Sequence, residues 1–201
     1  MNPPEQQNTM SSSGEWRRVK IFPFPTGQTF GAHEAIMEKM KNNKNYGLIS
    51  WLTSWQTPTL EEKQSPEESS VVIVFCPITL CVGSDVESAM RNPKVSSLDK
   101  PVILVLMHHT RDPDYSTAGT KWSEMYENVE LDVHVLFHET VPGLLTCQQN
   151  DQAIEAIEKK LYDYTTWSFG SSNLGKSNHT PSAEKSQICD SAPNSSFSQL
   201  L

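Results

Sequence analysis

Val71-Val72-Ile73-Val74-Phe75-Cys76-Pro77-Ile78 is apolar at successive positions, with no alternation between a wet and a dry face. That pattern is expected of a strand whose sheet is covered on both sides. Val102 to Met107, VILVLM, repeats it after Lys100-Pro101. Two such strands, separated by a helical stretch, predict a mostly parallel sheet with helices on both faces.

Upstream, Trp16 to Phe24 contains VKIFPF, a short strand stopped by Pro23 and Pro25. Thr26-Gly27 turns the chain. Gly31 to Asn45 then carries Ala32, Ala35, Ile36 and Met40 at helical spacing, with Glu34, Glu38, Lys39 and Lys41 outward. Tyr46 to Trp55, YGLISWLTSW, reads as a second strand with Trp51 and Trp55 in the core, and Pro58 to Ser70 reads as an acidic loop. Between the two apolar strands, Ser84 to Met90 opens a short helix that Asn92-Pro93 ends.

Downstream, Arg111 to Glu127 is a polar loop. In Val129 to His138, apolar residues alternate with Glu130, Asp132, His134 and His138, which places this strand at a sheet edge with one wet face. Asn150-Asp151 reads as the cap of a last helix whose inner stripe is Ala153, Ile154, Ile157 and Leu161. The expectation is an α/β fold, a three-layer flavodoxin-like or Rossmann-like sandwich of about five strands over residues 15–164. Residues 1–14 read as a disordered leader and 165–201 as a disordered Ser-rich tail.

Of 201 residues, 36% are hydrophobic, enough for one core, and the net charge is −8. The acidic balance argues against nucleic acid or anionic membrane as a partner. No stretch approaches the ~20 apolar residues of a membrane span, and MNPPEQQNTMSSSGEW lacks the basic start and apolar run of a secretory signal. A cytoplasmic protein is expected, with Cys76, Cys81, Cys147 and Cys189 as free thiols. No metal is expected. Cys76 and Cys81 have no second pair at finger spacing, and His134 and His138 lie two pleats apart on one strand, ~13 Å.

Ligands of doubly wound sheets bind at the carboxyl ends of the strands. There the apolar strand runs through Cys81-Val82-Gly83-Ser84-Asp85-Val86-Glu87 into a helix. Backbone N–H groups and the helix dipole make Gly83, Ser84 and Asp85 candidate ligand-binding residues. A single glycine makes this neither a P-loop nor a dinucleotide fingerprint. Glu87 has two readings: with Ser84 it fits the capping box Ser-x-x-Glu, or it is the carboxylate of a site. His108 and His109 end the next strand at the same edge, either as acid or base beside Glu87, with His109 also a ligand contact, or as a polar pair that ends an apolar run. Cys81 lies near a helix start but has no histidine beside it in sequence.

Gly83-Ser84-Asp85-Val86-Glu87 with Ala89 and Lys100-Pro101-Val102 resembles the nucleoside deoxyribosyltransferases, and is loosely similar to the glutamate helix of NAD-cleaving TIR domains. The resemblance implies Glu87 acting at an N-glycosidic bond, Gly83 and Ser84 touching ribose or phosphate, and His108 or His109 assisting. This chain has no Asp-rich loop after the first strand, and its Arg111-Asp112-Pro113 follows the fourth strand instead of the second. Across VKIFPFPTG, VFCPITLCVGSDVESAM, KPVILVLMHHT, LFHET and GLLTC the chain also resembles a group of small fish proteins, which implies a role in innate, antiviral defence. Two functions are therefore expected in turn. The first is a non-enzymatic interaction or regulatory domain acting through a protein partner and needing no cofactor. The alternative is a nucleotide-binding or NAD- or nucleoside-cleaving enzyme built on Glu87.

Overall fold

The structure, a computed structural model, describes residues 18–42, 59–79, 81–117 and 119–167. Strand β1 is Arg18–Pro25, β2 Thr59–Glu62, β3 Val71–Ile78, β4 Val102–His109 and β5 Val129–Phe137. Helix α1 is Ala32–Asn42, α2 Val82–Met90, α3 Pro93–Ser96 and α4 Gln148–Trp167. The five strands form one sheet, all parallel, in the order β2-β1-β3-β4-β5.

The two apolar runs are the centre of this sheet, buried from Val71 to Pro77 and from Val102 to His108. Successive side chains point to opposite faces. Ile73, Phe75, Ile103, Val105 and Met107 meet α1 and α4 through Ile36, Met40, Ile154 and Ile157. Val72, Val74, Cys76, Leu104 and Leu106 meet α2, α3 and Trp122 through Val86, Ala89 and Val95. Each such aliphatic side chain contributes about 1.5–3 kcal/mol by leaving water. The three-layer α/β sandwich expected from the sequence is the fold observed.

Strand β2 arises where an acidic loop was expected. Its four residues, TLEE, have no apolar period, and backbone pairing with β1 from Arg18↔Thr59 to Ile21↔Glu62 makes them a strand. Past Ile21 β1 pairs only with β3, so Pro23 and Pro25 fall where no outer neighbour needs their missing N–H. The strand expected at Tyr46–Trp55, the leader 1–14 and the tail beyond 167 lie outside the described residues. The last helix continues to Trp167, three residues past the expected domain end. Before β3, the carbonyls of Pro66, Glu67 and Ser69 all accept from Lys100 Nζ at 2.6 Å, which ties that turn to the start of β4.

The alternating strand β5 is an edge, as expected. Asn150 is not the cap of α4, which begins two residues earlier at Gln148. Its side chain is fully buried and serves the outer side of β5 instead. Oδ1 accepts from Leu136 N–H at 2.7 Å, while Nδ2 donates to the carbonyls of Leu136 at 2.8 Å and Leu145 at 2.7 Å. One amide thus does the work of a neighbouring strand and blunts an open edge. Truncation would remove the Asn150 partner of the Leu136 N–H and the Leu145 carbonyl, while the Leu136 carbonyl keeps the Leu145 N–H at 3.2 Å. Asn150→Ala is expected to lower unfolding free energy by about 2–4 kcal/mol in a urea titration; a loss below about 1 kcal/mol would mean that the edge is satisfied by other groups.

Candidate functional site

Helix α2 begins earlier than the capping-box reading requires. Cys81 holds the N-cap position without a side-chain cap bond. Ser84 is the third helical residue, and its hydroxyl donates to the Cys81 carbonyl at 3.0 Å. Glu87 does not reach back to Ser84. It is exposed and pairs with Arg91 one turn on, at 2.6 Å. The Ser84-Glu87 box is therefore corrected to an outward i,i+4 ion pair of the kind worth about 0.3–0.5 kcal/mol.

Asp85 accepts from Thr79 N–H at 2.7 Å and from Thr79 Oγ1 at 3.2 Å, closing the turn between β3 and α2 with a carboxylate. A Cβ at Gly83 would meet nothing within 4 Å, so crowding does not demand glycine there. Burial pushes the Cys76 thiol up to about 12, which keeps it protonated and inert. Among the described residues, no hydrogen bond, ion pair or ring contact joins Glu87 to His108 or His109.

In this strand order the usual ligand crevice opens between the carboxyl ends of β1 and β3. There the loop after β1 is tied to the end of β3. Thr26 N–H and Oγ1 both donate to the Phe75 carbonyl, at 2.9 and 3.2 Å. The Cβ position of Gly27 stands 3.5 Å from the Pro77 ring. His33 shares a hydrogen bond with Thr29, packs its ring 5.5 Å from that of Phe75, and is held below the ordinary histidine range by burial.

Polar groups converge instead at the ends of β4 and β5. The register Leu106↔His134, His108↔Leu136 and His109↔Phe137 makes His108 and His134 diagonal neighbours on the α2 side. His108 Nε2 lies 2.8 Å from His134 Nδ1, and Tyr115 packs on His108 with ring centroids 5.6 Å apart. His134 is thus a partner of β4 and half-buried. Burial, and next the neighbouring His134, pushes His108 down to about 4; burial also lowers His134.

On the α1 and α4 side His109 forms a second group. Its ring stacks on His138 with centroids 4.7 Å apart and packs edge-on against Phe137. Phe30 stacks from the other side at 6.0 Å. Glu139 binds His109 Nε2 directly and stands 3.4 Å from His138 Nε2. Hydrogen bonds from its own backbone N–H, and then from His109, hold its carboxyl below the usual range. Arg111 Nε lies 3.2 Å from His138 Nε2, and Thr140 approaches Nδ1 with its hydroxyl at 2.9 Å and its N–H at 3.2 Å. Phe30 is 48% exposed and has φ +51°. That conformation costs a non-glycine residue about 1–2 kcal/mol, so an aromatic ring is kept at the surface against its backbone preference.

His134 and His138 do not meet each other, as their spacing implied. Each meets a β4 histidine, and the adjoining pair His108-His109 was the signal that could have found this. Glu139 was not singled out in the sequence, although it directly follows His138.

No protein-family model matches the chain, and no curated protein does. Among solved structures, it is similar to Methanosarcina barkeri Roco2 RocCORdC bound to GDP, with 12% identity and a TM-score of 0.43, over 75% of this chain and 50% of that one. It is also similar to rubredoxin oxygen:oxidoreductase from the anaerobe Desulfovibrio gigas, with 10% identity and a TM-score of 0.40, over 77% of this chain and 37% of that one.

The lowered pair His108–His134 makes stability depend on pH. Both rings take up a proton less readily folded than unfolded, so their contribution is complete above about pH 6.5 and is lost as pH falls toward about 4. For His108 the loss is on the order of 3 kcal/mol. Urea midpoints measured from pH 7.5 to 4.5 are expected to fall steeply, with a shallower fall in His108→Leu; parallel profiles for the two proteins would contradict the assignment.

Proposed function

We propose that this domain works by recognition rather than by bond cleavage, as an interaction or regulatory α/β domain whose contact edge is the carboxyl end of β4 and β5. The observation that carries this reading is a displacement. At the ends of β1 and β3, where this strand order usually takes a nucleotide, Thr26 is bonded to the Phe75 carbonyl and His33 packs on Phe75, while Phe30, His109, His138 and Glu139 gather at the sheet end beyond it.

Two further features support it. Glu87, on which the enzyme reading rests, points outward to Arg91. The first turn of α2, where a phosphate would sit, already carries the Asp85 carboxylate, which repels an anion. A part in antiviral defence rests on the resemblance to fish proteins and is part of the same proposal. The runner-up, an N-glycosidic enzyme, keeps Gly83 and Ser84 at a helix start on the ligand edge as its support.

The deciding assay is release of free base from NAD and from nucleosides at millimolar concentration, wild type beside Glu87→Gln. Glutamine is nearly isosteric and removes only an exposed ion pair, so both proteins fold. Neither is expected to release base above background. Turnover by wild type that Glu87→Gln abolishes would overturn the recognition reading.

A further inference from the structure

We propose that His109, His138 and Glu139 form a binding site for one divalent transition-metal ion of the zinc class. This deepens the reading above, because it names what the recognition edge holds, and it rests on that edge being the site.

The donor set comes first. Two imidazoles and one carboxylate suit zinc, cobalt or ferrous iron, whereas calcium and magnesium take oxygen ligands. The three ligand atoms all lie within 4.8 Å of one another. With metal–ligand bonds of about 2.1 Å, the edges of a tetrahedral site are about 3.4 Å. His138 Nε2 and Glu139 Oε2 already stand 3.4 Å apart. His109 Nε2 and the Glu139 carboxylate are direct partners, so the third pair of ligand atoms also faces one point.

Support for the ligands is also in place. His109 ends β4, where the Phe137 and Phe30 rings fix its plane. His138 and Glu139 follow directly on β5. Thr140 fixes the His138 ring: its N–H donates to Nδ1 at 3.2 Å and its hydroxyl lies 2.9 Å from the same atom. The His109 and His138 rings are inclined by only 13°, so a shared ion requires His138 to turn about its ring bond. Arg111, 3.2 Å from Nε2, is the cation that the metal displaces. Three protein ligands leave one position open, for water or for a donor supplied by the protein partner.

The test is a titration of the full chain with Co²⁺, followed by its visible absorption bands, and competition by Zn²⁺. Wild type runs beside His109→Ala and Glu139→Gln. Both positions are exposed at the end of the sheet, and circular dichroism checks that each variant is folded. One ion per chain is expected, with affinity lowered about tenfold or more in each variant. Equal affinity in all three proteins, no one-to-one binding by wild type, or thiolate charge-transfer bands that place the ion on cysteine would each overturn the site. The titration reads metal occupancy and the cleavage assay reads base release, so the two proposals fail separately.

Discussion

The ladder between β3 and β4 is out of water on both faces, and the rest of the molecule follows from that constraint. Buried backbone N–H and C=O groups must find each other, since an unpaired one costs about 1–3 kcal/mol. A slip of one residue would also exchange the two sets of side chains between faces that differ in shape. One set fits α1 and α4, the other α2, α3 and Trp122. The parallel register is therefore held from Val72↔Val102 to Ile78↔His108, and β5 follows β4 from Ile103↔Leu131 to His109↔Phe137 after one irregularity at Val102. Polar side chains are admitted only where this dry region ends.

At the amino side and along the open edge, polar groups hold the frame. Lys100 gathers three carbonyls, and Asn150 stands in for a sixth strand. At the carboxyl side they do something different. His108 and His134 meet on one face because the register makes them diagonal neighbours, while His138, one residue past β5, lies against His109. The inner pair is shielded by Tyr115 and held neutral. In the outer pair His109 is exposed and His138 largely buried, with a carboxylate at hand, which is why the binding proposal belongs there.

Much of the frame was legible in the sequence, for physical reasons that can be stated. Unbroken apolar runs identified β3 and β4, alternation identified β5 as an edge, and helical stripes identified α1 and α4. Strand β2 was missed because TLEE has no period of its own and exists by pairing with β1. The start of α2 was misplaced because Ser84-x-x-Glu87 matches a capping box by residue type, while the helix opens at Val82. Asn150 was assigned to its own helix because its partners on β5 lie 14 residues away. The histidine pairs were illegible for a related reason, since cross-strand neighbours depend on a register that no local pattern encodes.

That register, and the division of the four histidines into an inner and an outer pair, is the centre of the account. The most direct measurement is a long-range ¹H–¹⁵N and NOE spectrum of the histidine rings in labelled full-length protein, before and after addition of Zn²⁺. The account predicts ring contacts between His108 and His134 and between His109 and His138, with zinc moving the second pair and leaving the first in place. Contacts between His108 and His138, or equal zinc shifts in all four rings, would contradict it.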